Sequence, residues 1–358
     1  MIKVCFPLEG LNNSGGLRVV TDVANYLSEN GLIVDVIVPD YRSDCFYQFS
    51  EKVNLKIVNT NSIFGNRIFY LFYLIRYSAK KKYDFSFATG YKTPLFVYLS
   101  KLFNFSKTKI VYLIQHYEIS SQINFTKNQN KLSKLIKTWI ANIGFIVPSI
   151  KVAVSDWIKL QINDPKINVI PNGIDLKVFK VKTLPNKRDC YSIGIVGSNK
   201  PIKGYKLMLE AISNLRSDLK PKIKLFVLSN ENIEIPSNIN SQHIIPKSSE
   251  DISNFYNSFN LFIFGSYEEG FGLPPLEALA SGCLVISSDC GGVRTFLNET
   301  NSLLFRPGDS SELTKKIEFS LDYPSQIIKL RKMGIINSKE FSLEIVMNKY
   351  YNLIKKNY

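Results

Sequence analysis

The chain has 358 residues, long enough for two domains that each bury their own core. Its 45% hydrophobic and 21% charged residues are ordinary values for a globular protein and argue against an intrinsically disordered chain. Five scattered cysteines without a CxxC pair, and only two histidines, argue against a zinc cluster or a disulfide framework.

The net charge of +15 is unevenly distributed along the chain. Residues 1–180 hold 23 Lys+Arg and 12 Asp+Glu, a net charge of +11, whereas residues 181–358 carry only +4. A basic first half is compatible with a membrane surface, nucleic acid or an anionic substrate, and equally with a solvated basic surface. Since Met1 opens no signal peptide and no apolar run reaches the ~18 residues of a membrane span, we expect a cytoplasmic protein, soluble or peripheral to the inner face of the membrane.

The first half is predicted to alternate strands with helices, which indicates a parallel sheet covered on both faces. The predicted strands are 2–6, 32–38, 53–59, 84–89, 109–115 and 151–155. Helices are predicted between the first two strands, over 68–78 and over 94–103, and the polar stretch 120–134 is predicted to be a loop. Gly15 and Gly16 end the first loop, and His116 follows the strand 109–115 at the sheet edge where ligands bind in such folds.

The second half restarts the alternation after the turn signal Pro171–Asp175, where we place the domain boundary. Its predicted strands are 192–198, 223–229, 242–245, 261–264 and 284–288. Its predicted helices are 205–215, 249–259, one opened by Pro274, one from about residue 311, and a wholly helical end over 324–358.

The stretch 266–293 combines several signals for an anionic, hydroxyl-bearing ligand. A buried strand leads into Glu269 and a glycine loop, and Pro274 and Pro275 then preset the backbone for a helix whose first turn is expected to hold Glu277. Loop amides beside a helix N-terminus bind anions, and two carboxylates suit hydroxyl groups. The pattern therefore predicts a nucleotide-sugar site.

The candidate residues of this stretch, and those elsewhere in the chain, also have a purely structural interpretation. Glu277 is alternatively an acid stabilised by the helix dipole, and Glu269 a solvated loop acid. His116 is alternatively a core histidine at a strand end, and Lys203 a solvated charge. Gly15 and Gly16 alternatively serve only a tight turn.

The segment EGFGLPPLEALASG resembles the E-x7-E signature of the retaining GT-B glycosyltransferases of family 4. The resemblance extends over nearly the whole chain through further short motifs in the same order. These are the Gly15-Gly16 loop, QHYE (115–118), PNGID (171–175), GSNKPIKG (197–204), and a double glycine followed by NSLLFRPGD (301–309). It implies two Rossmann-like domains facing across a cleft: residues 1–171 on the acceptor side and 172–340 on the donor side. A helix over about 341–358 is a candidate to pack back on the first domain.

The resemblance also implies roles for individual residues. Its catalytic set comprises His116, Glu269 and Lys203, in which His116 and Glu269 contact the donor sugar and Lys203 binds phosphate. Its donor-binding set comprises Gly15, Gly16, Ser198, Lys203, Phe271, Gly272, Leu273 and Glu277, the last on the ribose. Two positions depart from the family pattern: Ser198 stands in place of a phosphate-binding arginine, and Thr295 in place of a glutamate.

The activity implied is retaining transfer of a sugar from a nucleotide-diphosphate sugar to a saccharide or undecaprenyl-diphosphate-linked acceptor in surface-polysaccharide synthesis. No cofactor is expected, and without a DxD motif no metal is expected either. The alternatives are a sugar-nucleotide epimerase or hydrolase, a basic nucleic-acid-binding protein, which we do not expect, and a degenerate transferase that serves as a scaffold. The aromatic, basic segments 67–82 and 92–109 are predicted as core helices, a surface for anionic membrane, or an acceptor site.

Overall fold

A computed structural model of the chain describes residues 1–59, 73–74, 83–117, 131–182 and 191–358, and only the backbone within 131–134. The described residues form two compact units. The first unit comprises Met1–Pro171 and Val346–Tyr358, and the second comprises Asn172–Ile345. The chain thus passes between the units twice, after Pro171 and after Ile345.

The first unit is built on one parallel sheet. Its described strands are β1 (Lys3–Pro7), β2 (Ile33–Pro39), β3 (Val53–Val58), β4 (Phe85–Thr89), β5 (Lys109–Ile114), β6 (Ile150–Ala153) and β7 (Asn168–Val169). Its helices begin with α1 (Gly15–Glu29), α2 (Thr93–Phe103), α3 (Lys131–Ile146) and α4 (Asp156–Ile162). The strand order β3-β2-β1-β4-β5-β6-β7 places a topological switch point between β1 and β4.

The second unit repeats this plan. Its strands are β8 (Tyr191–Val196), β9 (Ile223–Leu228), β10 (Ser241–Ile244), β11 (Leu261–Phe264), β12 (Leu284–Ser288) and β13 (Leu303–Phe305). Its helices are α5 (Tyr205–Ser213), α6 (Ser249–Tyr256), α7 (Leu273–Ala280), α8 (Ser310–Asp322) and α9 (Pro324–Ser338). The last helix, α10 (Leu343–Asn357), belongs from Val346 onward to the first unit. All strand pairs are parallel in the order β10-β9-β8-β11-β12-β13, so the switch point lies between β8 and β11.

The central strands are buried along their whole length because other parts of the polypeptide cover both faces of the sheet. All four residues of β11 and all five of β12 are buried, although their side chains point alternately to opposite faces. Uninterrupted apolar runs therefore predicted parallel strands correctly. The predicted α/β class with two Rossmann-like parallel sheets is confirmed.

Two predicted elements were wrong in detail. Residues 131–134, predicted as loop, belong to α3, because the apolar spacing of Leu132, Leu135 and Ile136 extends the helical period back through a polar stretch. Residues 324–358 are not wholly helical, since a 3-10 turn and the extended Ser342 separate α9 from α10. There the Phe341 carbonyl accepts from the Ile174 amide at 2.9 Å, and the Leu343 amide donates to the Ile174 carbonyl at 2.8 Å.

The end of α2 places an aromatic residue where glycine is usual. Phe105 adopts a left-handed φ of 49° and is 95% exposed. The Ser106 amide donates to the Lys101 carbonyl at 3.0 Å, which closes the turn as in a Schellman motif. Phe105 therefore bears backbone strain without burying its ring.

Replacing Phe105 with glycine should stabilise the protein. Phe105→Gly removes the left-handed strain and should raise the free energy of unfolding by up to about 1 kcal/mol, measured by urea denaturation. Phe103→Gly is the matched control, because Phe103 is also exposed but is the last residue of α2, where glycine should cost up to about 1 kcal/mol. Equal destabilisation by both substitutions would contradict the assigned strain.

Candidate functional site

Three loops meet at the carboxyl edge of the second sheet. They follow β8 (197–204), β11 (265–272) and β12 (289–291), three adjacent parallel strands whose ends lie at the same edge. The first two loops flank the switch point, where open α/β sheets bind ligands. Most of the residues predicted for the donor site lie in these loops or directly after them.

Lys203 and Glu269 form an ion pair across the switch point. The Lys203 Nζ lies 2.7 Å from Glu269 Oε2, and the Ser266 hydroxyl lies 3.4 Å from the same oxygen. The two side chains are 38% and 18% exposed, so the pair is open to solvent on one side. Glu269 and Lys203 are thus paired with each other, whereas the structural alternative treated each as a separate solvated charge.

The environment of the pair favours a charged lysine. Burial opposes the charge of Lys203, but attraction to Glu269 and their hydrogen bond outweigh it and raise the Lys203 pKa above its ordinary 10.5. The contribution of the protonated Lys203 to stability is therefore present at neutral pH and is lost as pH rises through the raised folded-state value. Burial raises the pKa of the neighbouring Cys290 thiol to about 12, so that thiol stays protonated near neutral pH.

The glycine loop is shaped by a close approach between two backbones. A Cβ on Gly292 would lie 2.0 Å from the Gly270 carbonyl oxygen, and the Gly292 amide donates to the Glu269 carbonyl at 2.9 Å. Gly272 has a φ of 95° and is the N-cap of α7. The cap is thus Gly272 and not Pro274, which occupies the second helical position.

Three consecutive amides of this loop are available to a ligand. Among the described residues, the amides of Phe271, Gly272 and Leu273 have no hydrogen-bond acceptor. Phe271 as a whole is 2% exposed, and its ring packs against Phe296 and Phe341, so its amide and not its side chain is the group offered to a ligand.

Glu277 is the fifth residue of α7, so the prediction that it lies in the first turn was wrong. The error follows from the cap: Gly272 starts the helix earlier than a proline cap would. Glu277 is only 5% exposed, and the buried Tyr256 hydroxyl donates to its Oε2 at 2.9 Å. The hydrogen bond from Tyr256 orients the buried Glu277 carboxylate. Because Glu277 lies beyond the first turn, the helix dipole does not explain why a glutamate stands there.

Of the two departures from the family pattern, Ser198 has a side-chain partner, and Thr295 lies next to an ion pair. The Ser198 hydroxyl donates to Glu231 Oε1 at 3.2 Å, so a serine–glutamate pair stands where a phosphate-binding arginine was expected. Beside Thr295, Arg294 binds Asp289 with two hydrogen bonds of 2.7 and 2.8 Å. Glu231 and Tyr256 were both missed, because each acts through a partner distant in sequence.

The first unit brings its own predicted residues together. Gly15 and Gly16 are the first residues of α1, and the cap residue Ser14 accepts from the Leu17 amide at 3.3 Å. The Gln115 side chain donates to the Gly16 carbonyl at 3.0 Å, which links α1 to the residue before His116. His116 is half-buried, while Glu118 of the QHYE motif lies outside the described residues.

Other site types find no support in the described part of the chain. No group of three or more His, Cys, Asp and Glu side chains there is arranged to hold a metal ion. No helix within the described ranges is both long and apolar enough to cross a bilayer.

Comparison with known proteins identifies the family. Residues 13–178 match the family model Glycosyltransferase Family 4, and residues 179–341 match Glycosyl transferases group 1. The chain belongs to this family of glycosyltransferases, as its motifs predicted, and it is a transferase enzyme.

Sequence relatives agree with this assignment. An uncharacterized glycosyltransferase of Haemophilus influenzae is 23% identical over 99% of this chain and 100% of its own length. A Campylobacter jejuni protein, N,N'-diacetylbacillosaminyl-diphospho-undecaprenol alpha-1,3-N-acetylgalactosaminyltransferase, is 27% identical over 54% of this chain and 55% of its own length. An MMP alpha-(1->4)-mannosyltransferase of Mycolicibacterium hassiacum is 26% identical over 48% of this chain, and the match spans only 43% of that relative.

Solved structures show that the fold is GT-B. Sucrose-phosphate synthase from Thermosynechococcus elongatus superposes with a TM-score of 0.83 at 17% identity, covering 99% of both chains. Anabaena HepE in complex with UDP-glucose superposes with a TM-score of 0.78 at 15% identity, covering 99% of this chain and 100% of that one. At these identities the likeness shows the fold alone.

The close approach at Gly292 should be sensitive to one added methyl group. Gly292→Ala forces the two loops apart and should cost about 1–3 kcal/mol of unfolding free energy, read from urea denaturation. Gly31→Ala is the control: Gly31 has a left-handed φ but no neighbour within 4 Å of an added Cβ, so only backbone strain of about 1 kcal/mol applies. A Gly292 variant no less stable than the Gly31 variant would contradict the described loop packing.

Proposed function

We propose that this glycosyltransferase moves a sugar, with retention of anomeric configuration, from a nucleotide-diphosphate sugar to a saccharide or undecaprenyl-diphosphate-linked acceptor. The observation that carries the proposal is the Lys203–Glu269 pair beside the three amides of 271–273. A lysine and free amides bind phosphate, and a carboxylate binds sugar hydroxyls. A sugar diphosphate presents both kinds of group.

The pair has a direct chemical use in this reaction. A bound diphosphate draws Lys203 away from Glu269, and Glu269 then accepts a hydrogen bond from a donor-sugar hydroxyl. The anomeric C–O bond to the diphosphate breaks, a C–O bond to the acceptor forms, and the acceptor's hydroxyl proton is released with the diphosphate. Lys203 and the loop amides are fixed in advance where the negative charge of the leaving group develops.

The remaining predicted residues keep, in this proposal, the roles that the resemblance implies. Glu277, oriented by Tyr256, accepts hydrogen bonds from the ribose. Gly15 and Gly16, whose amides have no acceptor among the described residues, offer donors to phosphate at the start of α1. His116 contacts the donor sugar. We propose that no metal takes part, because Lys203 and backbone donors meet the diphosphate charge.

The names of similar proteins support the proposed substrate classes. HepE was solved with UDP-glucose, and the name of the Campylobacter relative includes an undecaprenol diphosphate acceptor. Two further relatives are named a capsular polysaccharide biosynthesis glycosyltransferase and a serotype-specific mannosyltransferase. We accordingly propose a place in the synthesis of a surface polysaccharide of the capsule or O-antigen type.

An exposed apolar strip on α3 supports contact with the cytoplasmic face of an anionic membrane. Leu135, Trp139 and Ile146 are 67%, 63% and 78% exposed and recur at helical spacing on one side of α3. On another side of α3, the Phe145 ring lies 6.3 Å from the ring of Tyr117, the residue after His116. The net charge of +11 over residues 1–180 complements anionic lipid.

The predicted aromatic, basic segments are only partly described. Of residues 67–82, the structure describes 73–74 alone. Within 92–109, one face of α2 is core, as Val97 and Ser100 show, but Phe103 and Phe105 at its end are exposed. The core interpretation therefore holds for one side of this segment only.

The donor role is tested by Lys203→Ala and Glu269→Gln. Each should lower kcat/KM at least about a hundredfold, because a group that contacts developing charge is lost. Lys206→Ala is the control, since Lys206 is an exposed lysine three residues further along. Turnover is followed by NMR with a panel of UDP-, GDP- and dTDP-sugars, and the same spectra give the anomeric configuration of the product. The assay is then repeated in EDTA, where activity should persist.

Three results would contradict the donor proposal. They are normal turnover in both variants, an inverted product, and turnover of the donor that needs no acceptor. The last would indicate an epimerase or hydrolase.

Membrane contact is tested by co-sedimentation with vesicles of phosphatidylglycerol and of phosphatidylcholine. The wild-type protein should prefer the anionic vesicles, and Leu135→Ser combined with Trp139→Ser should weaken that binding about tenfold or more. Ile336→Ser is the matched control, because Ile336 is 55% exposed on a helix of the second unit. Equal binding to both lipids would remove the proposal.

A further inference from the structure

The loop that carries Lys203 is held at its start by a carboxylate from the neighbouring loop. Glu231 follows β9, and its Oε2 accepts the Asn199 amide at 2.6 Å while its Oε1 accepts the Ser198 hydroxyl at 3.2 Å. The Asn199 side chain also donates to the Asn232 carbonyl at 3.0 Å. Glu231 is itself oriented, since its amide donates to the Ser229 hydroxyl at 3.0 Å.

The same loop is fixed at its other end by the loop after β11. The Tyr267 amide donates to the Ile202 carbonyl at 2.8 Å. Gly204 packs so tightly that an added Cβ would lie 1.9 Å from the Gly265 carbonyl oxygen. Lys203 is therefore carried on a short segment with an anchor on each side, and Glu231 is the anchor nearer the start.

We propose that Glu231 is a positioning residue for Lys203, and that the Ser198–Glu231 pair orders this loop at the position where the family pattern has an arginine. The inference rests on the proposed function, because it concerns how the phosphate-binding lysine is held. Ser198 thus serves the loop and not the donor. Compared with the family pattern, the chain lacks one phosphate-binding charge, and the backbone around the other, Lys203, is fixed.

Two physical effects of Glu231 on donor binding have opposite signs. A carboxylate close to an anion site repels the diphosphate, so its removal alone should tighten binding. If Glu231 instead holds the loop so that Lys203 is already in place, removing Glu231 should weaken donor binding. The sign of the change on substitution therefore decides between them.

The measurement is the calorimetric Kd for whichever of UDP, GDP and dTDP the wild-type protein binds most tightly. Glu231→Ala should weaken binding about tenfold and Glu231→Gln, which keeps one acceptor oxygen, about threefold. Glu234→Ala is the matched control, because it removes the same charge from an exposed side chain of the same loop. It should leave binding unchanged or slightly tighter. Ser198→Ala removes the contact between the Ser198 hydroxyl and Glu231 but keeps the one to the Asn199 amide, so it should weaken binding about threefold. It replaces Glu231→Ala if that variant does not fold.

A double-mutant cycle with Lys203→Ala shows through which group Glu231 acts. If Glu231 works by placing Lys203, the double variant binds no more weakly than Lys203→Ala alone. Binding by Glu231→Ala that equals or exceeds the wild type, or effects that are fully additive with Lys203→Ala, would overturn the inference while leaving the donor site intact. Failure of the wild-type protein to bind any of the three nucleotides would overturn the inference and the proposed function together.

Discussion

The ion pair between Lys203 and Glu269 joins the two loops at the switch point of the second sheet, and the remaining features of the site depend on it. Its residues are 66 positions apart in sequence and meet at 2.7 Å because β8 and β11 are neighbours in the sheet. A fully solvated ion pair would contribute little to stability. Because this pair is partly buried, removing either charge would leave the other without a partner at a cost in free energy. A ligand that replaces one partner with phosphate and the other with a hydroxyl satisfies both.

Close backbone packing brings the pair and the amide donors into one small region. Glycine is required at Gly204 and Gly292, where a Cβ would collide with a carbonyl oxygen, and at Gly272, where φ is positive. These contacts leave the amides of Phe271, Gly272 and Leu273 without acceptors among the described residues. Because the backbone is already ordered, little conformational entropy remains to be lost when an anion binds.

The sequence predicted the fold and the loops that carry most of the proposed site residues, but not how these residues contact each other. Apolar runs and glycine-rich loops are local signals, so parallel strands and the loop at Glu269 were found directly. The Lys203–Glu269 pair, the burial of Glu277 under Tyr256 and the Ser198–Glu231 contact depend on strands adjacent in space. The helical start of α3 was missed because polar composition hid its apolar period, and the break at Ser342 arises from pairing with Ile174, which local propensity does not reveal.

The proposed reaction requires Lys203 to exchange Glu269 for a diphosphate, and a crystal structure with the bound nucleoside diphosphate would show this exchange. We expect the Lys203 Nζ to contact a phosphate oxygen, amides of 271–273 to donate to the same group, and Glu269 to be released from the lysine. A nucleotide bound elsewhere, with the Lys203–Glu269 pair intact, would contradict it.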